Sequence, residues 1–152
     1  MAKSKYSKYV VTELQEPESR KKFAPVYSKY AKRILWMDKN VVPGAFNMNA
    51  SWYLKAGPTI DDKPHTHDHD EIIGFFSNDA SKPNDLGGVV EIYLENELQV
   101  ITKSAMIFVP AGMVHCPLFL RRVDRPIFHF TAVVDGLYIK DEKLPAKQKA
   151  RH

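Results

Sequence analysis

His65-Thr66-His67-Asp68-His69-Asp70-Glu71 places three imidazoles and three carboxylates within seven residues, at the mouth of the apolar run Ile72-Ile73-Gly74-Phe75-Phe76. Side chains alternate faces along a strand, so residues 65, 67, 69 and 71 share one side if the segment is extended. Neutral imidazole nitrogens beside a carboxylate oxygen form a donor set that suits first-row transition metals. A further histidine, His115, follows in Val109-Pro110-Ala111-Gly112-Met113-Val114-His115-Cys116-Pro117.

On either side of these segments the chain reads as short strands separated by turn residues. Strands are expected over 33–38, 45–55, 71–76, 89–94, 98–102, 106–109, 115–122 and 127–134. Gly57-Pro58 ends the second, Glu95-Asn96-Glu97 joins a hairpin, and 77–88 reads as a loop because Asn, Asp, Ser, Pro and two glycines fill it. Many short strands at close spacing make an antiparallel sandwich or barrel, an all-β fold. Residues 1–30 have no clear period and read as an extended arm with at most one short helical turn, packed by Tyr6, Tyr9, Phe23 and Tyr27. The expected division is an arm over 1–30, a barrel over 31–139 and a polar tail over 140–152, with no internal repeat.

A length of 152 residues suffices for one domain with a core, and a hydrophobic share of 44% excludes a disordered chain. The single cysteine excludes an internal disulfide framework and fits a reducing compartment. Met1-Ala2-Lys3-Ser4-Lys5 is basic, but no apolar stretch of a secretory signal follows it. The longest apolar run, 105–114, is interrupted by Pro110 and Gly112 and falls short of the roughly 20 residues that span a bilayer. A soluble, cytoplasmic protein without a membrane partner is expected. The net charge of +4 resides at the ends: nine Lys/Arg against three Asp/Glu over 1–33, and five against two over 140–152. No nucleic-acid motif accompanies that charge, so the ends read as solvated and no nucleic-acid partner is expected.

The two histidine segments resemble the two motifs of the cupin superfamily. His65, His67 and Glu71 match the first, H-x-H followed by three or four residues and E; Pro110, Gly112 and His115 match the second, P-x-G-x-x-H. The resemblance covers residues 45–134. Departures lie outside the ligand positions: Ser104 replaces a leading glycine, Asn78 a closing glycine, and Phe119 a frequent asparagine, while Gly57 lies too far upstream to serve as the first motif's leading glycine. The resemblance implies a double-stranded β-helix, or jelly-roll barrel. It implies one divalent transition metal ion (Fe, Mn, Ni, Zn or Co) on His65, His67, Glu71 and His115, with one or two coordination positions left open. It also implies a homodimer.

Around that site His69 reads as a pocket residue or an orienting group, although strand parity alone would make it a ligand. His129, in Phe128-His129-Phe130, reads as a core histidine or a pocket acid/base. Arg121 shares parity with His115 in a regular strand and reads as a surface residue or an anchor for a substrate carboxylate. Ile73, Phe75, Met106, Phe108 and Phe119 suit an apolar pocket lining or plain core packing, and Cys116 is expected to face away from His115. Two classes of function follow. One is a metalloenzyme acting on a small organic molecule, with dioxygenase, decarboxylase, isomerase and lyase chemistry all open because fold does not select reaction. The other is a non-catalytic module that binds or senses a small ligand.

Overall fold

The computed structural model describes residues 4–134, so the expected tail over 140–152 and the end of the expected barrel lie outside the described residues. The chain forms β1 (Ala31–Met37), β2 (Asn47–Tyr53), β3 (Gly57–Pro58), β4 (Glu71–Phe76), β5 (Asp85–Leu94), β6 (Glu97–Lys103), β7 (Ala105–Val109), β8 (His115–Val123) and β9 (Ile127–Val133). They build a five-stranded sheet in the order β1-β2-β9-β4-β7 and a four-stranded sheet in the order β3-β8-β5-β6. Every neighbouring pair is antiparallel. After β4 the chain crosses to the second sheet, returns with β7, crosses again with β8 and returns with β9, which is the connectivity of a jelly roll. Among the described residues no helix is long and apolar enough to cross a membrane.

The apolar core leans on the four-stranded sheet. Leu86, Val90, Ile92, Leu118 and Leu120 are all 3% exposed or less, and they meet Tyr53, Phe75 and Ile127 from the five-stranded sheet. Fully burying a side chain of this kind stabilises the fold by about 1.5–3 kcal/mol. The five-stranded sheet inverts the usual pattern. In β2 the inward residues are Asn47, Asn49, Ser51 and Tyr53, while Met48, Ala50 and Trp52 face out. The inner face of this sheet is therefore partly polar, and its outer face is apolar.

The arm is more ordered than its sequence suggests. It contains a 3-10 turn at Ser7–Tyr9 and two single-turn helices, α1 (Glu18–Lys21) and α2 (Ala24–Tyr27), the second started by Pro25 in its first turn. Tyr27 donates its hydroxyl to Ser51, Tyr30 OH accepts from Ile60 N at 3.1 Å, and Tyr30 packs on Tyr53. Tyr6 and Tyr9 do not pack as expected; they are 61% and 56% exposed.

The expected loop over 77–88 is too long, because β5 begins at Asp85. Gly87 and Gly88 make a bulge rather than a turn: the pairing registers shift between Asp85 and Val90, and Gly87 has φ +72°. The Gly87 carbonyl accepts from Asp124 N at 2.7 Å and Arg125 N at 3.1 Å, which seats the β8–β9 turn. At Gly88 a Cβ would collide with the Arg122 carbonyl oxygen, a backbone atom. A Gly88→Ala substitution is expected to lower stability by about 1–3 kcal/mol through overpacking. Urea unfolding measures this, and an unchanged midpoint would contradict the close approach.

Candidate metal centre

The two histidine segments meet through the backbone. His65 N donates to His115 O, and His115 N to His65 O, both at 3.1 Å, forming an isolated antiparallel bridge. Gly112 N donates to His67 O at 2.8 Å, and Ala111 N donates to Asp70 Oδ1 at 2.9 Å. The turn 110–112 is thus fastened to the first segment at two points. Gly112 has φ +82°, a conformation that favours glycine. Asp70 is a structural clasp that residue type alone did not reveal.

Above this frame the side chains converge. Nδ1 of His65 lies 3.0 Å from Lys63 O, and Nδ1 of His115 lies 3.1 Å from Met113 O. A carbonyl oxygen only accepts, so both rings carry their proton on Nδ1 and present a lone pair at Nε2. The ligand atoms of His65, His67 and His115 all lie within 4.8 Å of one another, and all three residues are buried. Glu71 reaches the group from the first position of β4, its Oε2 2.9 Å from His67 Nε2 and 3.4 Å from His115 Nε2. Burial works to raise the Glu71 pKa, but hydrogen bonds from His115 and His67, made when their Nε2 atoms carry hydrogen, outweigh it and hold the carboxyl at about 2. Three clustered imidazoles, two of them with an Nε2 lone pair set by a backbone carbonyl, and a carboxylate at one buried point fit a divalent transition metal.

The other expected site residues divide. His69 stands outside the three-histidine group: residues 68–69 form a bend, and its ring stacks on His67 with Nδ1 3.1 Å from Asp68 Oδ1. Ile73 and His129 line the cavity beside the cluster, and Phe75 is fully buried against His129. Phe119 and Arg121 do not share His115's face. His115 and Cys116 are both buried, Cys116 has φ +71°, and the β5–β8 register shifts between Ile92 and Leu94. Two successive inward residues reverse the alternation, so Cys116, Leu118 and Leu120 turn inward. Arg121 then lies over the Phe119 ring on the outside, its Nε 2.7 Å from Glu91 Oε2. Cys116 therefore lines the cavity rather than facing away from it. Met106 and Phe108 are 70% and 60% exposed, because they pair with Gly74 and Ile72 on the outer face of β4.

The cavity beside the cluster has a volume of about 20 Å³, and a second of about 30 Å³ opens toward the arm between Arg20, Tyr27 and Arg33. Each has room for at least one water-sized group. Asp61, His129 and Thr131 border both. Sequence reading passed over Asp61 and Thr131; the signal for Thr131 was its shared parity with His129 along β9.

The fold has relatives of known structure. No family model and no curated protein matches the sequence. In structure the chain is similar to a cupin 2 domain-containing protein from Halorhodospira halophila, with TM-score 0.55 and 14% identity over 82% of this chain and 77% of that one. It is also similar to an oxalate oxidase solved with the substrate analogue glycolate, with TM-score 0.50 and 14% identity, covering 74% of this chain and 54% of the oxidase. The protein is thus a two-sheet jelly roll with an interior three-histidine cluster. Its fold is similar to that of the cupin 2 domain-containing protein.

His129 supplies a test of this interior. Burial pushes its imidazole down from 6.5 to about 4. The unfolded chain takes up that proton near 6.5, so stability is lost as pH falls from there toward 4, by ~3 kcal/mol in total. A His129→Phe variant cannot titrate and is expected to lack that share of the loss. Urea unfolding at pH 7 and pH 4.5 compares the two proteins; equal acid sensitivity would contradict a buried, neutral His129.

Proposed function

We propose that the protein is a metal-dependent cupin acting on a small organic molecule, with one divalent transition metal held by His65, His67, Glu71 and His115. The observation that carries this reading is the convergence of three buried imidazoles, two of them with Nε2 lone pairs fixed by Nδ1 contacts to backbone carbonyls. A closed structural zinc site usually contains cysteine. Here Cys116 borders the cavity but is not one of the clustered ligands. Four protein donors leave positions open on an octahedral ion, and the bound metal would supply Lewis acidity and a place for a chelating substrate. Around it, Ile73 and Leu118 exclude water from one side, while His129 and Thr131 offer polar contacts on the other.

The test is elemental analysis of protein purified without added metal. About one equivalent per chain is expected in the wild type, with occupancy reduced at least tenfold in His67→Ala and His115→Ala. Occupancy is also expected to fall with pH through the imidazole range, because the ligands must be deprotonated. Equal metal content in wild type and His115→Ala contradicts the assignment. Exchangeable metal without turnover of any small acid or carbonyl compound favours a binding or sensing module instead.

The same proposal includes a homodimer. The outward positions of β2, β4, β7 and β9 carry no charged residue: Met48, Trp52, Ile72, Met106, Phe108, Phe128 and Phe130 dominate them. An apolar sheet face of this extent suits packing against an identical face in a second copy. Light scattering is expected to give twice the chain mass of 17.4 kDa, and Phe108→Lys to reduce it to the monomer. A wild-type particle of one chain mass at working concentration contradicts the pairing.

A further inference from the structure

The wall shared by the two cavities has a chemistry that the rest of the fold has already assigned. His129 is 6% exposed, and its Nδ1 lies 3.0 Å from Gly74 O. That carbonyl only accepts, so His129 carries its proton on Nδ1 and a lone pair on Nε2. The ring stacks on Tyr53 at 4.4 Å and Phe75 at 5.0 Å, which fixes its plane. Thr131 is set by a relay that starts in the arm. Glu16 accepts from Arg33 Nε at 2.8 Å, Arg33 Nη1 donates to Asn49 Oδ1, and Asn49 Nδ2 donates to Thr131 Oγ1 at 2.7 Å. With its oxygen already accepting from Asn49, the Thr131 hydroxyl has its hydrogen to offer to the cavity. The wall thus presents an imidazole acceptor and a hydroxyl donor side by side, with the Asp61 residue beside them.

Few ligand groups satisfy such a pair. A carboxylate only accepts; it would answer Thr131 and leave the His129 lone pair buried without a donor. An ammonium only donates, with the reverse failure. A hydroxyl both donates and accepts.

We propose that His129 and Thr131, with Asp61 beside them, form a second recognition point that takes the hydroxyl of a compact hydroxy acid whose carboxylate lies at His65, Glu71 and His115. This inference rests on the metal reading for the carboxylate end, and on the wall alone for the hydroxyl end. Both cavities are small, so the ligand is one of very few carbons. His129 and Thr131 act here as recognition residues, and no bond is made or broken in the argument.

The test uses glycolate and acetate, the smallest pair of acids that differ by one hydroxyl. Calorimetric titration is carried out on full-length protein, metal-loaded and metal-stripped, with metal content measured on the same samples. Glycolate is expected to bind at least tenfold more tightly than acetate, because a site built around a hydroxyl leaves buried polar groups unpaired when it is missing. His129→Phe keeps a stacked ring and Thr131→Val keeps the side-chain shape. Each is expected to weaken glycolate binding at least fivefold, to leave acetate within twofold, and to leave metal content unchanged. Absence of glycolate binding, equal binding of the two acids, or a preference that survives in both variants overturns the proposal. A wild type that takes up no metal overturns the metal reading instead, and the glycolate preference of the metal-free protein then decides the hydroxyl site by itself.

Discussion

The two-way backbone bridge between His65 and His115 is the constraint on which the site depends. Burying several imidazoles and a carboxylate in one place is costly unless each is held by a partner that compensates its lost hydration. The bridge places the two segments so that each of these rings can use the carbonyl two residues before it, Lys63 for His65 and Met113 for His115. Identical local contacts on both sides then aim both Nε2 atoms at the same point. The 110–112 turn cannot drift, since His67 O and Asp70 Oδ1 hold successive amides of Gly112 and Ala111. Geometry that looks like a property of side chains is thus fixed by main-chain hydrogen bonds.

The polar inner face of the five-stranded sheet follows from the same requirement. Asn47, Asn49 and Ser51 point inward from β2, and none is exposed beyond 6%. Such residues are tolerated because each has a defined partner: Asn47 Nδ2 donates to Met37 O at 2.9 Å, Asn49 bridges Arg33 and Thr131, and Ser51 accepts from Tyr27. Two of those partners, Arg33 and Tyr27, are themselves organised by the N-terminal segment, with the Arg33 guanidinium 4.5 Å from the Tyr27 ring. The arm therefore belongs to the interior network, and a change at Glu16 reaches Thr131 through three hydrogen bonds.

Much of this was legible in the sequence, for identifiable reasons. The ligand segments are local, and spacing in a motif survives folding. Strand β9 obeys strict alternation, so Ile127, His129, Thr131 and Val133 turn inward as a period of two requires. Strand β8 does not, because the irregularity at Cys116 inserts a second inward residue, and one such insertion moves Phe119 and Arg121 to the outside. No local pattern announces that bulge, and Pro117 marks only that the strand is irregular near it. The apolar outer positions of β7 misled in the opposite sense, since Met106 and Phe108 look like core residues until their pairing with β4 is known. Asp61 and Thr131 stayed hidden because their importance lies in which cavity they border, a long-range fact.

Stability and site are housed in different parts of the barrel. The four-stranded sheet supplies Leu86, Val90, Ile92, Leu118 and Leu120 to the core and only His115 to the cluster. The five-stranded sheet supplies Glu71, His129 and Thr131 to the site, and much of its apolar surface faces outward. His115 and Glu71 are thus opposed across the interior on separate sheets, with Oε2 and Nε2 3.4 Å apart. Whatever is bound by both joins the sheets directly, and its binding free energy adds to the cohesion of the barrel. That coupling gives the polar interior a thermodynamic justification: side chains that cost stability when burying only themselves return it when they share a ligand across the gap.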